Sequence, residues 1–434
     1  MRLFTPLAAL AMFALPAQAI EITDVTSPMG NSAWLVEDHS IPFVSIEVVF
    51  TGGASLETDS NRGAVSLMTS LLVEGAGPYD AQGFAAAVEA LAGEVSFDAG
   101  RDRITMTITA LTENRDQVLD LALMALTEPR FDADAFARVQ AQTIANRERA
   151  ALNPNSIAGE TFAALGYGGH PYATSSDGTA TSVAALTRED ILDAHRAAFT
   201  SDLVYFGASG DITPAEFGAF IDRVLGDLPI SNTPLPEYRS FAADPGVTVV
   251  PHPGPQSVVQ FGHSGIHWDD DDFMAAYLIN EIFGSGRFGT RLMTELRERR
   301  GLTYGIGTSL ASGRFGDSFV GRFSTANETV GEAIDLVREQ FEWLANGGIT
   351  QEDLERAQTY LTGAYALRFD GNAAIAGILA SMQFQGFDID YISYRNDLVR
   401  AVTLDDIQRV ATRLARPDEL VFVVVGEPEG IEAE

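Results

Sequence analysis

The chain has 434 residues, with 28 Lys plus Arg against 60 Asp plus Glu and a formal net charge of −32, a balance that excludes extended binding to phosphate backbones. A hydrophobic fraction of 46% with 20% charged residues allows a full core and excludes a disordered acidic tail. Cysteine is absent, which removes disulfides, thiolate metal sites, iron–sulfur clusters, cysteine nucleophiles and a lipidated amino-terminal cysteine together.

Residues 1–19 read as a secretory signal peptide. Arg2 is a short positive region, Leu3 to Leu15 is apolar, and Pro16 precedes Ala17-Gln18-Ala19, a small-x-small cleavage pattern. The mature chain is expected to begin near Ile20 and to be exported. No later apolar run reaches the roughly 18 residues a membrane helix needs.

The first half, residues 20–228, mixes strands and helices. Trp34-Leu35-Val36 and Val44 to Phe50 read as strands, and Arg62 to Val73 as a helix with Ala64, Leu67, Met68, Leu71 and Leu72 on its apolar face. Thr105 to Leu111 alternates Thr with apolar residues as a half-buried strand does, and Asp116 to Thr127 is an amphipathic helix. Asp132 caps the next helix, Thr187 opens another, and Leu203 to Gly210 is an apolar strand. Pro229 to Pro245, with four prolines, reads as a linker over residues 229–245. In the second half, residues 246–434, the order returns. Strand Ser257 to Phe261 is followed by helices Phe273 to Phe283 and Thr290 to Arg300, then by strands Thr303 to Leu310 and Ser318 to Ser324.

Two segments match between the halves. Phe131 to Gln140 aligns with Ile349 to Gln358, and Thr187 to Ile191 with Thr403 to Ile407, at separations of 218 and 216 residues. A spacing held this closely predicts duplication of a domain, not a solenoid of short repeats. The expected fold class is α+β: two homologous halves, each an antiparallel sheet with helices on one face, joined by the linker.

Several motifs carry possible chemistry. Gly284-x-Gly286-x-x-Gly289 has dinucleotide spacing but follows a helix, where that fingerprint needs a strand. It reads as a turn between helices or as a backbone-exposing loop that contacts extended peptide. His263 and His267 lie roughly 13 Å apart on an extended chain, too far to share one zinc. Asp269 to Asp272 reads as solvated first-turn acid for the following helix, not as a calcium loop. Ser66 and Ser70 sit one helical turn apart with neither a nearby His nor a G-x-S-x-G turn, so a serine hydrolase built on Ser70 lacks its base. His170-Pro171-Tyr172 lies in a glycine-rich loop, and His39 and His195 read as surface or packing residues. Arg297 and Tyr304 stand at a helix-to-strand corner closed by Gly301. There a guanidinium and a phenol could hold a peptide carbonyl or carboxylate, and the plainer reading is a surface ion pair and a core ring.

These residues together resemble the pitrilysin/insulinase-type zinc peptidases, which include the mitochondrial processing peptidase. The resemblance spans nearly the whole mature chain. It rests on the duplicated halves, Gly52-Gly53-Ala54-Ser55 before the Gly63 helix, the His170-Pro171-Tyr172 loop, and Arg291-Leu292-Met293 leading to Arg297 and Tyr304. It implies halves that face each other like a clam shell. It also implies a His-x-x-Glu-His sequence binding zinc on the first-half helix, and a later glutamate completing the ligand set. Here those slots are Ser66, Thr69 and Ser70, and the distal helix carries no carboxylate from Gln140 to Arg147, with Glu148 next. Hydroxyls are poor zinc ligands, and a tetrahedral site needs about three protein ligands plus water. This chain is therefore expected to bind no metal.

The second half of family members supplies an Arg and a Tyr that reach the substrate, and Arg297 and Tyr304 match those positions. By resemblance to two-chain exported bacterial members, the chain is expected to be the non-catalytic, substrate-binding subunit of a periplasmic heterodimer. Gly284, Gly286 and Gly289 would line the peptide path, and zinc would belong to a homologous catalytic partner. The alternative is a peptide-binding or complex-assembly module without protease function.

Overall fold

The computed structural model describes residues 20–226 and 228–431, so the expected signal peptide lies outside the described residues. The first half contributes β1 (Thr23–Thr26), β2 (Ser32–Glu37), β3 (Phe43–Thr51), a small hairpin of β4 (Gly75–Ala76) and β5 (Tyr79–Asp80), β6 (Glu94–Ala99), β7 (Arg103–Leu111) and β8 (Val204–Gly210). Its helices are α1 (Ala64–Leu71), α2 (Ala81–Ala90), α3 (Arg115–Thr127), α4 (Ala133–Ala150), α5 (Pro154–Tyr167), α6 (Ala180–Ala185), α7 (Arg188–Ala198) and α8 (Pro214–Gly226). The second half contributes β9 (Gly246–Pro251), β10 (Gln256–His263), β11 (Ile306–Gly313), β12 (Gly316–Ala326) and β13 (Val421–Gly426). Its helices are α9 (Phe273–Phe283), α10 (Val330–Ala345), α11 (Gln351–Tyr365), α12 (Asn372–Gln385), α13 (Tyr391–Ala401) and α14 (Leu404–Leu414).

The strand orders are β1-β2-β8-β3-β7-β6 and β11-β12-β10-β13-β9. Read from opposite ends and leaving out β1, they are the same topology. The duplication reaches individual hydrogen bonds. Thr187 and Thr403 each cap their helix reciprocally with Asp190 and Asp406. Gln140 donates through Nε2 to the carbonyls of Val183 (2.8 Å) and Leu186 (3.0 Å), while Gln358 donates to those of Val399 (2.9 Å) and Val402 (2.9 Å).

Neither sheet is wholly antiparallel, contrary to the expectation. β2 pairs with β8 in parallel, and β9 with β13. The strand that closes each half returns by long helical connections, and such crossovers permit parallel neighbours.

The second correction concerns the faces of the sheets. Along β3, Val44, Ile46, Val48 and Phe50 join the core under α1, α3 and α7, while Val49 points the other way and packs on Ala380 and Phe384 of α12. Along β13, Phe422 and Val424 face the second half's own helices, while Val421, Val423 and Val425 pack with Ala158 and Phe162 of α5. α5 and α12 occupy equivalent places in the repeat, and each lies on the other half's sheet. β13 therefore reads as a continuous apolar run, with both faces buried, whereas β3 carries Ser45 and Glu47 on the face under α12. Gly207 shows how close the approach is, since a Cβ there would stand 2.3 Å from the Ala376 carbonyl oxygen of α12.

The linker is also part of the packing. Arg239 N–H donates to the Phe315 carbonyl (3.0 Å) and Phe241 N–H to that of Asp317 (2.9 Å), and the buried Phe241 ring stacks on Phe162 with centroids 4.3 Å apart. Beside it, Asp102 joins the halves. It accepts from Ser55 Oγ (2.8 Å), from the Arg314 N–H (2.9 Å) and from the Tyr172 hydroxyl. His170-Pro171-Tyr172 thus sits in the junction. His170 Nε2 donates to the Glu237 carbonyl (3.0 Å), its Nδ1 accepts from Tyr172 N–H (3.2 Å), and burial lowers its pKa.

Candidate functional site

α1 carries the three slots where the resemblance requires imidazole and carboxylate. Gly63, at φ 91°, is the N-cap that lets the chain turn into the helix, and Glu57 accepts from the first backbone N–H groups there. The Glu57 carboxylate is buried and accepts from Gly63 N–H (2.9 Å) and Val65 N–H (2.7 Å). Burial outweighs those two donors and the nearby Arg62, and pushes its pKa up to about 7. Glu57 was missed in the sequence, although an acid six residues ahead of a helix-opening glycine was there to be seen.

The slot hydroxyls are already engaged. Ser66 Oγ donates to Asp177 (2.9 Å), and Thr69 Oγ1 and Ser70 Oγ both donate to the Ser66 carbonyl (3.0 Å each). Thr69 is buried and Ser70 is exposed. Late in α4, Arg147 pairs with Glu160 at 2.6 Å, and Glu148 is exposed. Among the described residues no three His, Cys, Asp or Glu side chains gather as a metal would need. The donor set here does not fit zinc: it offers hydroxyls that keep their protons and spend them on oxygen acceptors.

The other corner is built differently. Arg297 lies in a π-helical stretch, Met293–Arg299, where a regular helix over Thr290 to Arg300 was expected. Such widened turns re-aim the side chains they carry. Arg297 is half-buried, with its guanidinium over the Phe288 ring, 4.5 Å from the centroid. Gly301, at φ 66°, ends the turn. Tyr304 does not lie on a strand as expected, because β11 begins only at Ile306. The Thr303 hydroxyl accepts from Gly305 N–H (3.1 Å) and donates to its carbonyl (2.9 Å), diverting that backbone from the ladder. Tyr304 therefore stands at a bend, 84% exposed, and is not a core ring. Around it Asn155 and Arg322 line a shallow hollow of about 210 Å³. Neither residue could be assigned from sequence, since Asn155 comes from the other half and meets Tyr304 only through the exchange of α5.

Of the three glycines, Gly284 is engaged in packing. Its N–H donates to Asn280 and its carbonyl accepts from Thr308 N–H (2.5 Å), and a Cβ would stand 2.2 Å from Thr308 Oγ1. The open backbone expected of this loop is confined to Gly286 and Gly289, at φ 80° and 83°, where a Cβ would meet nothing within 4 Å. Phe288 between them is 67% exposed.

The remaining candidates are structural. His263 is buried and its Nδ1 donates to the Ser264 carbonyl (2.7 Å), while His267 holds Asp269 and the Gly313 carbonyl. Asp270 and Asp272 are not merely solvated: Arg413 pairs with both, at 2.5 and 2.8 Å, and Arg409 with Asp272 at 2.7 Å. As expected of surface or packing residues, His195 packs between Phe131 and Phe199 and His39 is exposed, held by Glu37 and Asp211.

Comparison with known proteins gives a consistent picture. A profile described as insulinase (peptidase family M16) matches residues 33–179, and one described as the peptidase M16 inactive domain matches residues 185–361. The chain is similar to the "Non-peptidase homolog YmxG" of Helicobacter pylori, 22% identical with 90% of each chain covered. It is also similar to the probable mitochondrial-processing peptidase subunit beta of Schizosaccharomyces pombe, 20% identical with 94% of this chain and 92% of that protein covered. A crystal structure of a peptidase M16 inactive domain from Pseudomonas fluorescens superposes with a TM-score of 0.87 at 27% identity, over 95% of this chain and 99% of that one.

Proposed function

The chain belongs to peptidase family M16, and from that premise we propose that it is the non-catalytic, substrate-binding subunit of a two-chain zinc peptidase in the periplasm. The metal, the attacking water and its base belong to a homologous partner with an intact His-x-x-Glu-His. The observation that carries this reading is the contrast between two corners of one chain. The metal slots hold hydroxyls spent on Asp177 and the Ser66 carbonyl, while Tyr304 is presented to solvent and Arg297 is steadied on Phe288.

In this reading Arg297 binds a carbonyl or carboxylate of the peptide, a task suited to its planar fork. Stacking on Phe288 limits its rotamers, so less freedom is lost when it binds. The Tyr304 hydroxyl donates to the carbonyl oxygen as negative charge develops there. Gly286 and Gly289 give extended peptide access to the backbone. The two halves lie against the partner so that the peptide is enclosed between the chains.

The test is reconstitution. The purified chain alone is expected to contain no stoichiometric zinc and to cleave no peptide. With its partner it restores turnover, and Tyr304→Phe or Arg297→Ala lowers that turnover by about 10²-fold, the usual loss of one oxyanion donor. Intrinsic, chelator-sensitive cleavage by the isolated chain would refute the proposal. Unchanged turnover with both variants would favour an assembly module.

A further inference from the structure

One cavity lies away from Arg297 and Tyr304. It measures about 560 Å³ and is enclosed by α9, the end of α11, α12 and α13 of the second half and by β3 and β7 of the first. That volume is in the range of small-molecule sites. In the repeat its helices α9, α11, α12 and α13 correspond to α1, α4, α5 and α6, which carry or flank Ser66, Thr69 and Ser70 in the other half, but its chemistry is its own.

The walls are apolar on one side, with Phe273, Ile378, Met382 and Phe387. The charged lining is Arg103, Arg368 and Arg395 against the single acid Glu47. This is an inversion for a chain of net charge −32. None of the three guanidiniums makes an ion pair within 4.0 Å among the described residues, although 60 acids are available in the chain. Arg103 reaches from β7 to α12, donating to Ser381 Oγ at 2.9 Å. Arg395 is only 5% exposed. Its Nη1 donates to the Leu361 carbonyl and to Asn396 Oδ1, both at 3.1 Å, and its guanidinium lies over Tyr365, 4.6 Å from the ring centroid. A guanidinium taken from water without a counter-ion is costly, so its position calls for an anion.

We propose that this cavity binds a small amphiphilic monocarboxylate. The carboxylate lies between Arg368 and Arg395, and the apolar body lies on Phe273, Met382 and Phe387. A planar carboxylate matches the guanidinium fork. Apolar walls and the repulsion of Glu47 disfavour a hydrated phosphate dianion. The shared chemistry, an apolar side chain beside a carboxylate, is that of a free organic acid or of a peptide's C-terminal residue. Because the lining comes from both halves, bound ligand braces one against the other.

Trp268 lines the cavity and serves as a reporter. The full chain is titrated with N-acetyl-phenylalanine, its uncharged amide, an N-acetylated tetrapeptide ending in Phe, and inorganic phosphate. Tryptophan fluorescence and thermal shift are read in parallel. The carboxylates are expected to give saturable quenching and a raised melting temperature, with the amide at least about tenfold weaker. A tighter tetrapeptide identifies a peptide terminus as the source, and an equal or tighter single residue identifies a free acid. Arg368→Ala, at the exposed rim, is expected to weaken the carboxylate about tenfold while leaving the amide unchanged. Ala374→Phe fills the mouth and abolishes quenching with the fold intact by circular dichroism. Equal affinity for acid and amide, equal response to phosphate, or no saturable signal up to about 5 mM overturns the proposal. None of these outcomes bears on Arg297 or Tyr304.

Discussion

His263 is neutral because it is buried, and burial lowers its pKa to about 4 from an ordinary 6.5. Its Nε2 has no partner among the described residues, so a second proton would be stranded among Phe319 and Phe341. In the unfolded chain the same ring charges near its ordinary value. The stability this provides is complete above pH 6.5 and is lost as pH falls toward about 4, on the order of 3 kcal/mol in total. His195 and His170, also lowered by burial, act in the same direction. Urea unfolding at pH 7.5 and 4.5 is expected to show the loss, and His263→Gln should flatten the slope. At the Arg297 corner, by contrast, Tyr304 is exposed and the half-buried Arg297 touches the exposed Phe288 ring, so little of the core depends on either. Tyr304→Phe and Arg297→Ala are expected to change the unfolding free energy by less than about 0.5 kcal/mol in the same assay.

Elements written twice by the sequence are held twice by the same bond. Gln140 on α4 and Gln358 on α11 each hold one carbonyl in the last turn of α6 or α13 and one just past its end. Each Gln→Ala is expected to cost about 1–2 kcal/mol by urea titration, and the double variant the sum, because the sites are in different halves. Strands and helices were legible wherever one face is apolar, as in α1, α3 and β7. The corner strand was misplaced because periodicity does not register one hydroxyl: Thr303 holds the Gly305 backbone and delays β11 to Ile306. Gly207 of β8 lies against the α12 backbone with no room for a Cβ, so Gly207→Ala is expected to cost more than about 2 kcal/mol.

For the whole molecule, the exchange of α5 and α12 means that neither sheet keeps its second face covered without the other half. One cooperative endotherm is therefore expected in calorimetry. Asp102→Ala removes the acceptor shared by Ser55, Tyr172 and Arg314 and should lower the melting temperature or split the transition. Two separated transitions in the unmodified chain would contradict this account. Residue type and spacing alone carried the matched segments of the two halves and the α+β class, and a family resemblance put Ser66, Thr69 and Ser70 in slots where it implies metal ligands, because such patterns are local properties that survive without coordinates. Contacts between the halves settled which half covers which sheet, brought Asn155 beside Tyr304, packed the linker through Phe241 and left Arg103, Arg368 and Arg395 around one cavity without an ion pair among the described residues. Those outcomes depend on which surfaces meet after the chain has crossed between its halves, and no pattern along the chain encodes that meeting.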